Sequence, residues 1–186
     1  MNKKTKWIMI GAGITAATAT VAGVAAAVSH RISKFVVDTA LDRQGPKPLK
    51  GTKNPNNSVV PEELKAKVRE LSEKLKNSDL ETVTITARDG EKLVGHWHHK
   101  DTDKRVIIAM HGWRSSWAHD FGAIADFWQD NGSSVLYVEQ RGQGESGGEY
   151  MGFGMIERYD CLDWIDWVNE KTDESLPIYL AGISMG

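Results

Sequence analysis

Residues 176–186 carry an apolar strand, Leu-Pro-Ile-Tyr-Leu-Ala, straight into the pentapeptide Gly182-Ile183-Ser184-Met185-Gly186, and no other stretch restricts the fold as much. A strand that ends this way delivers Ser184 onto a sharp strand-to-helix turn. There its hydroxyl is exposed with a backbone N–H beside it, the setting in which a serine becomes a nucleophile. Gly182 and Gly186 permit the close backbone approaches that such a turn demands and that a Cβ would block. The amide of Met185, the residue after the serine, then forms one half of an oxyanion hole. Isolated matches to this pattern are often plain loops, so the order of the remaining elements has to decide.

That order repeats one theme. From Glu81 the period is two, with Val83, Ile85 and Ala87 alternating with threonines, and Asp89-Gly90 turns the chain into Lys92–Trp97, which predicts a β-hairpin. His96, His98 and His99 invite a metal reading, but no Cys, Asp or Glu stands at ligand spacing beside them. They read instead as polar residues on the solvent face of an edge strand, and no metal is expected. Val106–Met110 is an apolar run of the kind buried on both faces of a sheet, and it leads directly into His111-Gly112-Trp113. A helix is predicted over 119–130 through Phe121, Ile124, Ala125 and Trp128. A second buried strand, Val135–Val138, runs into Glu139-Gln140-Arg141-Gly142-Gln143-Gly144-Glu145-Ser146-Gly147-Gly148. Ile156–Glu170 then reads as an amphipathic helix through Tyr159, Leu162, Ile165 and Val168, and the next strand ends at Ser184. A hairpin followed by strand, helix, strand, helix, strand predicts an α/β fold, a mostly parallel sheet with helices on both faces.

Gly142, Gly144 and Gly147 also fit the dinucleotide pattern G-x-G-x-x-G after a strand. Glu145 would set a carboxylate against the pyrophosphate, and no helix begins at once to aim amides at a phosphate. No cofactor is expected.

Ahead of this domain, residues 7–29 carry no charge and, at about 1.5 Å per helical residue, span about 34 Å, close to the hydrocarbon thickness of a bilayer. A single-pass anchor is the reading, with a signal peptide as the rival because Lys3, Lys4 and Lys6 precede the segment and small residues follow. The weighing of flanking charges leans to a domain outside the membrane, or secreted if the segment is cleaved. Residues 30–60, with Gly45-Pro46, Pro48, Gly51 and Asn54-Pro55, read as a linker. Residues 61–78 read as an amphipathic helix through Leu64, Val68, Leu71 and Leu75 that packs on its own domain, residues 79–186. With 23 Lys and Arg against 25 Asp and Glu the formal charge is −2, so a nucleic-acid partner is not expected. The single Cys161 allows no internal disulfide and reads as a buried thiol.

Taken together, the strand ending in His111-Gly112-Trp113, the Arg141-Gly-x-Gly-x-Ser146 loop and Gly182-x-Ser184-x-Gly186 resemble the α/β-hydrolase family, and the leading segment loosely resembles its membrane-tethered bacterial members. The likeness runs from about residue 80 to the end, and each motif closes a strand at the end where open α/β sheets place ligands. The resemblance implies that the Trp113 amide is the second oxyanion donor. It also implies that His111, Gly112, Arg141, Gly142 and Gly144 shape the site, and that His111 is not the base. Many relatives have Asp where this chain has Glu139. By the family's order the acid and the catalytic histidine follow Ser184, where only Met185 and Gly186 remain. The expectation is therefore a fold incomplete at its C-terminus, inactive by itself, with an exposed strand edge and poor solubility. The implied activity is acyl-enzyme cleavage of a small or lipid-like ester of the carboxylesterase and lysophospholipase kind. Peptidase, thioesterase and non-catalytic membrane-tethered binding or anchoring roles remain open, and Trp113 and Trp117 either line an acyl pocket or pack under the loop.

Overall fold

The computed structural model describes residues 26–44 and 60–186. Most of the expected membrane segment and residues 45–59 lie outside these. Among the described residues no helix is long and apolar enough to cross a membrane. Residues 26–40 are helical (α1), taking in the first eleven residues of the stretch read as linker, and they belong to a separate unit from Leu41–Gly186.

Within the larger unit the elements follow in the order α2 (Glu62–Lys76), β1 (Glu81–Thr86), β2 (Lys92–His98), β3 (Arg105–Met110), α3 (Trp117–Phe121), α4 (Ala125–Asp130), β4 (Ser133–Glu139), α5 (Glu157–Thr172) and β5 (Ile178–Gly182). The five strands form one sheet in the order β1-β2-β4-β3-β5. β3 runs parallel to both β4 and β5, while β1 with β2 and β2 with β4 are antiparallel. The sheet is therefore mixed, but β2 alone runs against the other four strands, so it is mostly parallel as expected.

Two layers of core lie on the two faces. On one, Trp164 and Val168 of α5 pack against Leu93, Trp97, Val106, Ile108, Leu136 and Val138. On the other, Leu75 of α2 and Ala118, Phe121 and Ala125 of α3 and α4 pack against Ile107, Ala109, Val135 and Tyr137. Each interior strand thus sends alternate residues into both layers, which is why β3 and β4 read as unbroken apolar runs.

The expected helix over 119–130 is two short helices with a break where α2 crosses. A methyl on Gly122 would stand 2.8 Å from Ala118 O and from the carbonyl carbon and oxygen of Leu71. Close approach, and not backbone freedom, requires glycine there, since its φ is −55°. α2 packs through its C-terminal half, with Leu75 buried and Leu64 exposed. The inner face of α5 also departs from expectation. Tyr159 and Leu162 are exposed, and Asp160, Trp164 and Val168, spaced four apart, point inward.

Candidate active site

The three motifs converge at the C-terminal ends of β3, β4 and β5. Ser184 follows β5 with φ +59°, a left-handed conformation that residues with a Cβ seldom adopt. Its turn is tied to the end of β3 by Ile183 N–H to Met110 O at 3.1 Å and closed by Gly186 N–H to Ile183 O at 3.1 Å. The serine is exposed. Gly112 comes up against it, since a methyl placed there would stand 3.4 Å from Ser184 Cβ and 3.1 Å from Ile183 O. A methyl on Gly182 would run into the backbone of Gly186, and one on Gly186 into the carbonyl oxygens of Met110 and His111. The glycines read as permissive from sequence are where backbone meets backbone.

Asp120 holds the loop after β3. Its Oδ2 accepts from Gly112 N–H at 2.7 Å, and its Oδ1 accepts from Ser115 Oγ at 2.5 Å and meets His119 Nδ1 at 3.1 Å. Burial would raise this carboxyl, but the Gly112 amide, the Ser115 hydroxyl and His119 together hold it below its ordinary pKa. His111 is buried, and burial, its largest influence, lowers its pKa so that the ring stays neutral. Its Nδ1–H donates to Gly112 O at 2.9 Å, and its Nε2 accepts from Gln140 N–H at 3.3 Å. The Gln140 side-chain amide returns a bond to His111 O. With both nitrogens engaged, His111 links the two loops.

Glu139 and Arg141 anchor the loop after β4. Arg141 is buried and forks onto Asp160 (Nε to Oδ2 2.9 Å, Nη2 to Oδ1 2.6 Å) and onto Asp89 (Nη1 to Oδ2 2.7 Å). The arginine's bond draws the Asp89 carboxyl below its ordinary pKa. Ser146 Oγ donates to Glu139 O at 2.5 Å and accepts from Val94 N–H at 2.9 Å, stitching β2 to β4 where they part. The loop turns back on itself through Gly142 N–H to Gly147 O at 2.8 Å, and the next helix, α5, starts only at Glu157.

His96 departs from its expected place on a solvent-facing edge. β2 is interior, between β1 and β4. The ring stacks on Trp117 with centroids 4.1 Å apart, and its Nε2 bonds Glu139 Oε1 at 2.8 Å. Trp117 is buried, with its ring against Tyr137. His98 Nε2 is buried without a partner. Among the described residues no group of His, Cys, Asp or Glu is placed to hold a metal. Cys161 is half-buried, and burial keeps it a thiol.

One contribution comes from residues read as linker. Leu41–Arg43 run alongside Glu149–Met151, with Met151 N–H to Leu41 O and Arg43 N–H to Glu149 O both at 2.8 Å. The Arg43 guanidinium caps the carbonyls of Gly144, Ser146 (2.7 Å) and Gly148. Arg114 Nη2 donates to Asp42 O at 2.9 Å. A shallow apolar recess of about 350 Å³ between β3, β5 and α4 lies toward the opposite ends of the strands, lined by Arg105, Ile107 and Tyr179.

Residues 101–186 match the profile of the family described as serine aminopeptidase, S33. The chain is 28% identical over 161 residues to the multifunctional-autoprocessing repeats-in-toxin of Vibrio vulnificus, a match covering 78% of this chain and 3% of the toxin. It superposes on the Pyrococcus furiosus esterase Pf2001 with a TM-score of 0.54 and 28% identity, over 76% of this chain and 50% of the esterase. Another similar structure is XC6422 of Xanthomonas campestris, a serine hydrolase without a lid, with a TM-score of 0.50 and 20% identity over 59% of this chain and 52% of that one. The chain spans about half the length of the solved esterase it matches. The chain has the α/β-hydrolase fold, and its likenesses lie among the hydrolases built on it.

Proposed function

We propose that the full-length protein is a serine hydrolase that cleaves an ester-type bond through an acyl-enzyme. Ser184 attacks the carbonyl, and the amides of Met185 and Trp113 bind the oxyanion. The observation that carries this reading is the left-handed φ of +59° at Ser184 on the turn after β5, with the Gly112 backbone against its Cβ. Strain of this kind persists only where surrounding structure imposes it, and it gathers at reactive groups. No histidine among the described residues is hydrogen-bonded to Ser184, so the reading places the base and its acid after the serine, in the family's order. The full-length protein is expected to react with a fluorophosphonate probe, and Ser184→Ala to abolish labelling and lower kcat by a factor on the order of 10⁴ or more. Labelling that survives the substitution would point to another nucleophile, and a wild-type protein inert to the probe would support the non-catalytic alternative. The likeness to a family described as serine aminopeptidase favours a second reading, cleavage of an amino-terminal residue, which turnover of aminoacyl anilides in preference to esters would establish.

We also propose that the protein is membrane-bound through residues 7–29, with the hydrolase domain outside the membrane. The uncharged segment supports this. So does the exposed stripe Val28, Ile32, Phe35 and Val36 on α1, each 51–59% exposed with Arg31 and Lys34 beside them. The protein is expected to sediment with membranes through carbonate washing, and a form lacking residues 1–29 to be released. A wild-type protein extracted by carbonate would refute the anchor.

A further inference from the structure

Between the β4 loop and α5 the chain holds a large aromatic residue in a conformation such residues avoid. Phe153 has φ +48°. The amides on either side of it, Gly152 N–H and Gly154 N–H, both donate to the Glu157 carboxylate, at 2.5 and 2.8 Å. Glu157 is only 7% exposed, so a buried carboxylate is committed to fixing this one turn. The ring it presents is left 51% exposed. Phe153 meets the Trp113 ring at 6.5 Å between centroids, and Trp113 is itself 42% exposed. Trp113 follows Gly112, whose backbone touches the Ser184 turn. The Arg114 guanidinium lies 5.0 Å over the Trp113 ring and is held by Asp42, which bridges to Tyr150 on the same turn. Met155 continues the apolar surface at 73% exposure. A turn that merely joined β4 to α5 would gain nothing by straining Phe153 to hold its ring in water, and strained residues of this kind gather where ligands are met.

We propose that Phe153 and the Trp113 ring form the seat for an aliphatic acyl chain on the substrate. Glu157 is the positioning residue that holds Phe153 in that seat. The inference rests on the hydrolase reading, because the residue whose ring meets Phe153 is Trp113, the one whose amide that reading assigns to the oxyanion. The substrate class is then esters of medium or long aliphatic acids, in preference to acetyl esters.

The test compares p-nitrophenyl decanoate with p-nitrophenyl acetate in the full-length protein, and binding of decanoate alone by calorimetry. Phe153→Ala is expected to lower the decanoate-to-acetate ratio of kcat/KM about tenfold, as loss of a few apolar contacts does, with Phe153→Leu restoring most of it. Glu157→Gln keeps one acceptor oxygen and frees the other amide, and it is expected to act through KM for decanoate more than through kcat. Circular dichroism confirms that each variant is folded. Ser184-dependent turnover with a ratio unmoved by Phe153→Ala and Glu157→Gln would overturn the seat and leave the hydrolase reading standing. Decanoate binding weakened about tenfold by Phe153→Ala in a protein that hydrolyses neither ester would uphold the seat and remove the hydrolase reading. Absence of decanoate binding would overturn the seat.

Discussion

Arg141→Ala is expected to lower folding stability by about 3–5 kcal/mol, the usual cost of removing one partner from a buried ion pair. The arginine is 6% exposed and forks onto Asp160, whose side chain is 8% exposed, and onto Asp89 of the hairpin turn. Without it, Asp160 stays on the inner face of α5 as an uncompensated charge, and both the hairpin and the loop after β4 lose their common anchor. Arg141→Lys is expected to lose most of the same energy, since an ammonium cannot make the two-pronged contacts with both carboxylates. Asp160→Asn, which leaves Arg141 bonded to the more exposed Asp89, is expected to cost less than either. Urea unfolding checks this through a fall in midpoint at unchanged slope, and the Arg141/Asp160 double-mutant cycle isolates the coupling. An Arg141→Ala midpoint within error of wild type would mean that the ion pair adds nothing to the fold.

The same ion pair shows where reading from sequence stops. The apolar runs of β3 and β4, the alternation of β1 and the three glycine-bearing strand ends are local patterns, and the structure keeps each of them. The side of α5 that faces the sheet was not local. A helical wheel puts Tyr159 and Leu162 inward, whereas Arg141 draws the acidic Asp160 in and Trp164 follows on the same stripe, packed against Gly95 of β2. The place of His96 failed for a related reason. β2 pairs with β4, a strand that arrives later in the chain, so neither its interior position nor the Glu139 partner is encoded near the histidine. Asp120 and Glu157 escaped notice because a carboxylate gripping backbone amides has no periodic signature. In hindsight the spacing Gly152-x-Gly154-x-x-Glu157 is the trace of one such grip. Arg43 was hidden in a stretch whose prolines and glycines favour a linker reading.

Glu139→Ala is expected to cost about 3 kcal/mol, since two or more buried donors would be left without an acceptor, at about 1–3 kcal/mol for each. The carboxylate, 7% exposed, accepts from His96 Nε2, from the amide of Glu145 and from the Trp117 indole, so it ties β2, α3 and the Arg-Gly-x-Gly-x-Ser loop to one point. Glu139→Asp, the residue many relatives carry, is one methylene shorter and is expected to keep only part of this network, with an intermediate loss. The charge has a measurable signature of its own. Burial would raise the Glu139 pKa, but the His96 ring, the Glu145 amide and the indole outweigh it and hold the carboxyl below its ordinary range. A group whose pKa is depressed by folding stabilises the fold above its unfolded value, about 4.3, and loses that contribution as pH falls through the folded value. The gap in Tm between wild type and Glu139→Gln should therefore be widest near neutrality and close below about pH 4. A gap that stays constant from pH 7 to pH 3 would show that the shape of the side chain, and not its charge, holds the loop. A closing gap would mean that acid loosens the loop after β4 through this carboxylate.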